Sequence, residues 1–155
     1  EVWVWPDNVG YAAAISACGA SGQWEVALQL LTQMPGLQLS PDVVVYSAAI
    51  SACEKGGQWE KALDLLATMQ DQQVFPDVVA YSAAISACEK ASQANCATDL
   101  LDWMLLKSEV APNTVSFNAT IAACGEAKEW KQSLALIQGM QKAGLEPDAI
   151  TRRAV

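Results

Sequence analysis

Apolar residues recur along this chain with a helical period that restarts every 35 residues or so. In the stretch after Asp42, Tyr46, Ile50 and Cys53 fall at i, i+4 and i+7 and predict one face of a helix. The small residues Ala48, Ala49 and Ala52 surround them and would let a neighbouring helix come close. Gly56-Gly57 predicts the end of that helix near Lys55. A second stripe then runs through Trp59, Ala62, Leu63, Leu66 and Met69, until Gln72-Gln73 and Pro76 end it. The pattern therefore predicts a hairpin of two antiparallel helices joined by a short turn.

The same plan is legible in the other copies. Tyr11, Ile15 and Cys18, then Trp24, Ala27, Leu28, Leu31 and Met34, mark the first. Met104 closes the third, in which Ala94 replaces the tryptophan. Phe117, Ile121 and Cys124, then Trp130, Leu134, Ile137 and Met140, mark the fourth. The tryptophans share their stripe with aliphatic residues and are expected to be packing anchors.

The copies are punctuated by Pro6-Asp7, Pro41-Asp42, Pro76-Asp77, Pro112-Asn113 and Pro147-Asp148, at intervals of 35, 35, 36 and 35 residues. Asp or Asn in this place is a good N-cap for the helix that follows. A fixed period in this range signals stacked supersecondary units, each burying its apolar side against its neighbours. The expected fold class is all-α, an α-solenoid of stacked antiparallel helix hairpins. Its expected divisions are repeat 1 at 8–42, repeat 2 at 43–77, repeat 3 at 78–113 and repeat 4 at 114–148. Residues 1–7 read as the tail of a preceding repeat. Residues 149–155 read as the degenerate start of a fifth or as an end cap, with Arg152 where Tyr or Phe stood before.

Composition narrows the chemistry. The chain of 155 residues has no histidine, so it offers no Ser/His or Cys/His nucleophile and no histidine metal ligand. No glycine-rich phosphate loop follows a strand. These residues argue for a protein that is not an enzyme and needs neither cofactor nor metal nor small-molecule substrate. Four of the five cysteines, Cys18, Cys53, Cys88 and Cys124, stand in register, one per repeat, and are expected to be small apolar core residues. Without a Cys-x-x-Cys pair, the set suggests a reducing compartment. The longest weakly polar run, from Val43 to Cys53, is about half the length a membrane span needs, so membrane insertion is not expected.

The period, the paired helices, the Pro-Asp boundary and the run Val-x-Tyr-Ser-x-x-Ile-x-x-Cys together resemble the pentatricopeptide repeat family. The resemblance covers Asn8 to Asp148 and implies a right-handed superhelix. It also implies an organellar protein, of chloroplast or mitochondrion, that binds single-stranded RNA with one base per unit. The positions it assigns to base reading pair Ser47 with Asp77, Ser82 with Asn113 and Asn118 with Asp148. In chain order these imply a G-like, an A-like and a U-like site, read 5′ to 3′. Val44, Val79, Val115 and Ile150 would sandwich the bases, and Lys55 and Lys90 would approach the phosphates. The matching pair in unit one is Ala12 with Asp42, and a methyl group has no hydrogen bond to give, so that unit should be blind or nearly so.

Charge keeps a second reading open. The formal net charge is −8, and Glu54, Glu89 and Glu126 add negative charge near the presumed RNA face. Affinity for nucleic acid comes largely from phosphate neutralisation. Unit one has Ala20 and unit four Glu126 where the resemblance expects a cation. The alternative is an acidic protein–protein scaffold, a subunit of a large organellar assembly, gripping a protein partner through the same surface.

Overall fold

The computed structural model describes residues 7–149 and 151. Among them there are eight α-helices and no strand: α1 (Asn8–Ala20), α2 (Trp24–Gln33), α3 (Val43–Lys55), α4 (Trp59–Asp71), α5 (Val78–Lys90), α6 (Ala94–Leu106), α7 (Thr114–Glu126) and α8 (Trp130–Lys142). The fold is all-α and is built of helix hairpins of the solenoid type. The chain divides into two compact units, one ending at Ala80 and the other beginning at Tyr81.

Each odd-numbered helix starts because an acid or amide captures its first turn. Asp7 Oδ1 accepts the Gly10 N–H at 2.7 Å, and Asp42 Oδ1 accepts that of Val45 at 3.0 Å. Asp77 Oδ1 accepts the Ala80 N–H at 2.8 Å, and Asn113 Oδ1 that of Ser116 at 2.9 Å. In α7 the bond is reciprocated, since the Asn113 N–H donates to Ser116 Oγ at 2.9 Å and closes a capping box. Such caps stabilise a helix by about 1 kcal/mol each.

Each of these helices also ends in one recurring turn. The N–H donors of Gln23, Gln58, Gln93 and Glu129 reach back to the carbonyls of Cys18, Cys53, Cys88 and Cys124, at 2.8–2.9 Å. The turn needs a left-handed residue. Gly22 (φ 74°) and Gly57 (φ 68°) supply it in the first two hairpins, whereas Ser92 (φ 55°) and Lys128 (φ 62°) adopt it in the other two.

In the first unit α1 packs on α2 and α3, and α3 also packs on α2 and α4. Ile15, Met34, Ile50 and Met69 are fully buried there. Burying each contributes roughly 1.5–3 kcal/mol. The approach of α1 to α3 is set by Gly19, where a Cβ would stand 2.9 Å from the Ala52 Cα. Helix α2 is 10 residues long against 13 for every other helix, because Pro35 cannot continue it and opens a 3-10 turn, Pro35–Leu37. In the second unit α7 packs on α6 and α8, around Leu101, Met104, Phe117, Ile121 and Met140.

Cys53, Cys88 and Cys124 are buried core residues, and burial pushes the Cys53 thiol up to about 11 and the Cys88 thiol up to about 12. The tryptophans expected as anchors differ among themselves. Trp24 is half-buried against Gly56, where a Cβ would collide with its ring. Trp130 is 59% exposed, and its ring carries the Lys131 ammonium 5.6 Å from the centroid. Stripe position alone does not bury a side chain at the first turn of a helix, where the packed surface is just beginning.

Candidate nucleic-acid interface

Three of the pairs named from the sequence are brought together as direct hydrogen bonds. Ser47 Oγ donates to Asp77 Oδ1 at 3.0 Å, and Ser82 Oγ to Asn113 Oδ1 at 3.2 Å. Asn118 Nδ2 donates to Asp148 Oδ2 at 2.8 Å. In each pair one side chain rises from the first helix of a hairpin. Its partner is the Asp or Asn of the Pro-Asp or Pro-Asn boundary about 30 positions further along.

The boundary residue thus has two tasks, and the first settles how it performs the second. Asp77 Oδ1 holds both the Ala80 N–H and the Ser47 hydroxyl, which leaves Oδ2 as the acceptor that neither donor engages. Asn113 Oδ1 is held in the same way by the Ser116 N–H and the Ser82 hydroxyl. Two donors on that atom identify it as the oxygen, so the amide Nδ2 is the group those bonds leave over, and it is a donor. Two near-identical sites therefore show opposite hydrogen-bonding character.

Ala12 and Asp42 also lie close together, on the wall of a single cleft of about 570 Å3 in the first unit. Asp42 caps its helix as the others do, but Ala12 has no hydroxyl to join it. Val9, Val44, Ser47, Lys55, Asp77 and Val79 line the same cleft. Val44, Val79 and Val115 are 58%, 52% and 53% exposed, unlike the fully buried Val45 beside the first of them. They are apolar surface left open next to each hydrogen-bonded pair. Ile150, the fourth residue expected to sandwich a base, lies outside the described residues, as do Arg152 and Arg153.

The cationic positions are uneven. Lys55 is exposed at the cleft, and Lys90 is exposed at the end of α5. Glu126, in the matching place on α7, is exposed and accepts from Ser92 Oγ at 3.3 Å. Among the described residues no group of cysteine, aspartate or glutamate side chains is arranged to hold a metal ion, and no helix is long and apolar enough to cross a membrane. One residue of the site escaped the sequence reading. Thr151, 2% exposed, places its hydroxyl against both Asn118 and Asp148.

The architecture and the boundary geometry are those of a helical-repeat protein. The chain belongs to the pentatricopeptide repeat family: residues 4–56 match the pentatricopeptide repeat domain, 41–90 the PPR repeat family and 115–145 the PPR repeat. Solved structures share the fold. The maize pentatricopeptide repeat protein PPR10 superposes with a TM-score of 0.83 at 24% identity, over 97% of this chain and 21% of that one. PPR10 in complex with an 18-nt psaJ RNA element gives 0.82 at 24% identity, over 97% and 22%. The PPR domain of Arabidopsis thaliana protein-only RNase P 1, in complex with tRNA, gives 0.82 at 16% identity, over 97% and 79%. The chain thus spans about a fifth of these PPR10 chains. A search of the curated proteins returned no match.

Proposed function

We propose that this chain is a non-enzymatic module that binds single-stranded RNA, one base to a repeat, in organellar RNA metabolism. The observation that carries the reading is the opposite polarity of two otherwise equivalent sites. The Ser47–Asp77 pair turns an acceptor outward, which suits the N1–H and N2–H donors of guanine. The Ser82–Asn113 pair turns a donor outward, which suits the N1 acceptor of adenine. A surface that only gripped a protein would have no need to alternate donor and acceptor at a fixed period beside open valines. The RNA-bound PPR10 and the tRNA-bound RNase P domain, which share the fold, support the same reading.

In this mechanism each base lies against an exposed valine, and the paired side chains meet the Watson–Crick edge. Lys55 and Lys90 take phosphates. The third pair, Asn118 with Asp148, takes a U-like base, and the Ala12–Asp42 site contributes shape and no discrimination. The chain carries out no reaction on the RNA.

The test is a titration with short single-stranded RNA at two salt concentrations. With two phosphate contacts, log K should fall against log salt with a slope of about −1.4. Absence of binding at low salt would overturn the RNA reading and leave the protein scaffold in its place.

A further inference from the structure

We propose that Ser51 and Ser86 hold the ribose 2′-hydroxyl groups of the nucleotides taken by the second and third repeats, and so make the module select RNA over DNA of the same sequence. The inference rests on the RNA reading above and extends it from the base to the sugar. Ser47, Ser51 and Lys55 follow one another at i, i+4 and i+8 along α3, and all three line the same cleft. Consecutive members of the row stand one helical turn apart, about 6 Å along the axis. Ser82, Ser86 and Lys90 repeat the row along α5. In the RNA reading Ser47 takes the base edge and Lys55 the phosphate. In any nucleotide the ribose lies between those two groups, so the hydroxyl midway along the row meets the sugar.

The two hydroxyls are uncommitted. A serine or threonine inside a helix commonly turns its hydroxyl back on a carbonyl of the preceding turn. Thr68 does so to the Asp64 carbonyl and Thr120 to that of Ser116, both at 2.8 Å. Ser47 and Ser82, one turn before, spend theirs on Asp77 and Asn113. Among the described residues the Ser51 and Ser86 side chains have no hydrogen-bond partner, and both residues are half-buried. The fourth repeat lacks the group, since Ala122 stands in the same place on α7. The first repeat has Ser16 on the cleft wall, but Ala12 and Ala20 on either side of it leave neither a base contact nor a phosphate contact to fix a nucleotide there.

The chemistry is that of two matched groups. A 2′-hydroxyl is donor and acceptor at once, and so is a serine hydroxyl, so either can donate to the other. Deoxyribose offers neither function. The base pairs and the lysines cannot make this distinction, because RNA and DNA share the same purine edges and the same phosphates. Selection among bases thus resides in the side-chain pairs, and selection between the two nucleic acids in the serines midway to the lysines.

The experiment crosses Ser51→Ala and Ser86→Ala with short RNAs carrying G-A-U, in which one 2′-hydroxyl at a time is replaced by hydrogen. Alanine already occupies this place at Ala122, so both variants should fold, and a thermal melt checks it. In the unaltered protein the replacement should weaken binding about fivefold at G and about fivefold at A, one hydrogen bond each. At U, opposite Ala122, it should leave binding unchanged. In Ser51→Ala the penalty at G should vanish while that at A remains, and Ser86→Ala should do the reverse. The all-deoxy oligonucleotide should bind the unaltered protein about 25-fold more weakly than the RNA, two such bonds being lost. A penalty at G that is the same with and without the Ser51 hydroxyl would overturn the inference, because the sugar would then be sensed elsewhere. Equal binding of RNA and DNA would overturn it too, while leaving the base reading intact. Absence of RNA binding by the unaltered protein would overturn both.

Discussion

Replacing Asp77 by Asn should invert the base preference of the second repeat without disturbing its fold. Asp77 Oδ1 is held by two donors, Ala80 N–H at 2.8 Å and Ser47 Oγ at 3.0 Å. In Asp77→Asn the same donors select the amide oxygen, and Nδ2 must take the outward place of Oδ2. That arrangement already exists in the protein, since Asn113 holds Ser116 N–H at 2.9 Å and Ser82 Oγ at 3.2 Å. Asn caps a helix about as well as Asp, so the stability cost is a few tenths of a kcal/mol at most. For the bound base the change is larger. Guanine N1–H would face another donor, whereas adenine N1 would gain one. Each base position is worth about 1–3 kcal/mol, so the A-to-G affinity ratio should move by about 5- to 150-fold. Competition binding with RNAs that differ only at the base opposite this repeat reads the ratio, and a thermal melt confirms the fold. A variant that melts normally yet still prefers guanine would refute the claim that the cap fixes which atom meets the base. So would one that loses every base equally.

Other consequences can be checked independently. Ala12→Ser should complete a pair with Asp42 and give the first repeat a preference for guanine of about fivefold, one hydrogen bond's worth, seen in the same competition assay. Gly19→Ala should destabilise the first unit by about 1–3 kcal/mol, because its Cβ would meet the Ala52 backbone at 2.9 Å; chemical denaturation measures this. Cys53 and Cys88, whose thiols burial raises to about 11 and about 12, should resist thiol reagents near pH 8 until the protein unfolds. Their folded pKa values lie above the unfolded ones, so the stability linked to them is complete below about pH 8.5 and is lost as pH rises towards 11–12. Unfolding midpoints followed from pH 8 to pH 11 should therefore decline.

The hairpins were legible because their signals are local. Asp42 caps α3, Gly57 takes the left-handed turn, and Ile50 and Cys53 bury on the face that the period assigned them. The pairs were legible by resemblance, which named Ser82 and Asn113 as partners. Which atom of Asn113 is left over was not, because it depends on two donors converging on one oxygen from different helices and turns. Thr151 escaped for a related reason: a hydroxyl in a sequence does not disclose whether it will serve its own backbone, as Ser116 does, or a side chain 33 residues away. Trp130 shows the limit of periodicity. It holds the right phase on α8, yet the packed surface does not reach far enough to cover it.

Selection from a pool of randomised short RNA at low salt addresses the central claim most directly. The account predicts enrichment of G followed by A followed by U, read 5′ to 3′ in the order of repeats two, three and four. Recovery of RNA with no base preference, or of a motif that Asp77→Asn leaves untouched, would contradict it.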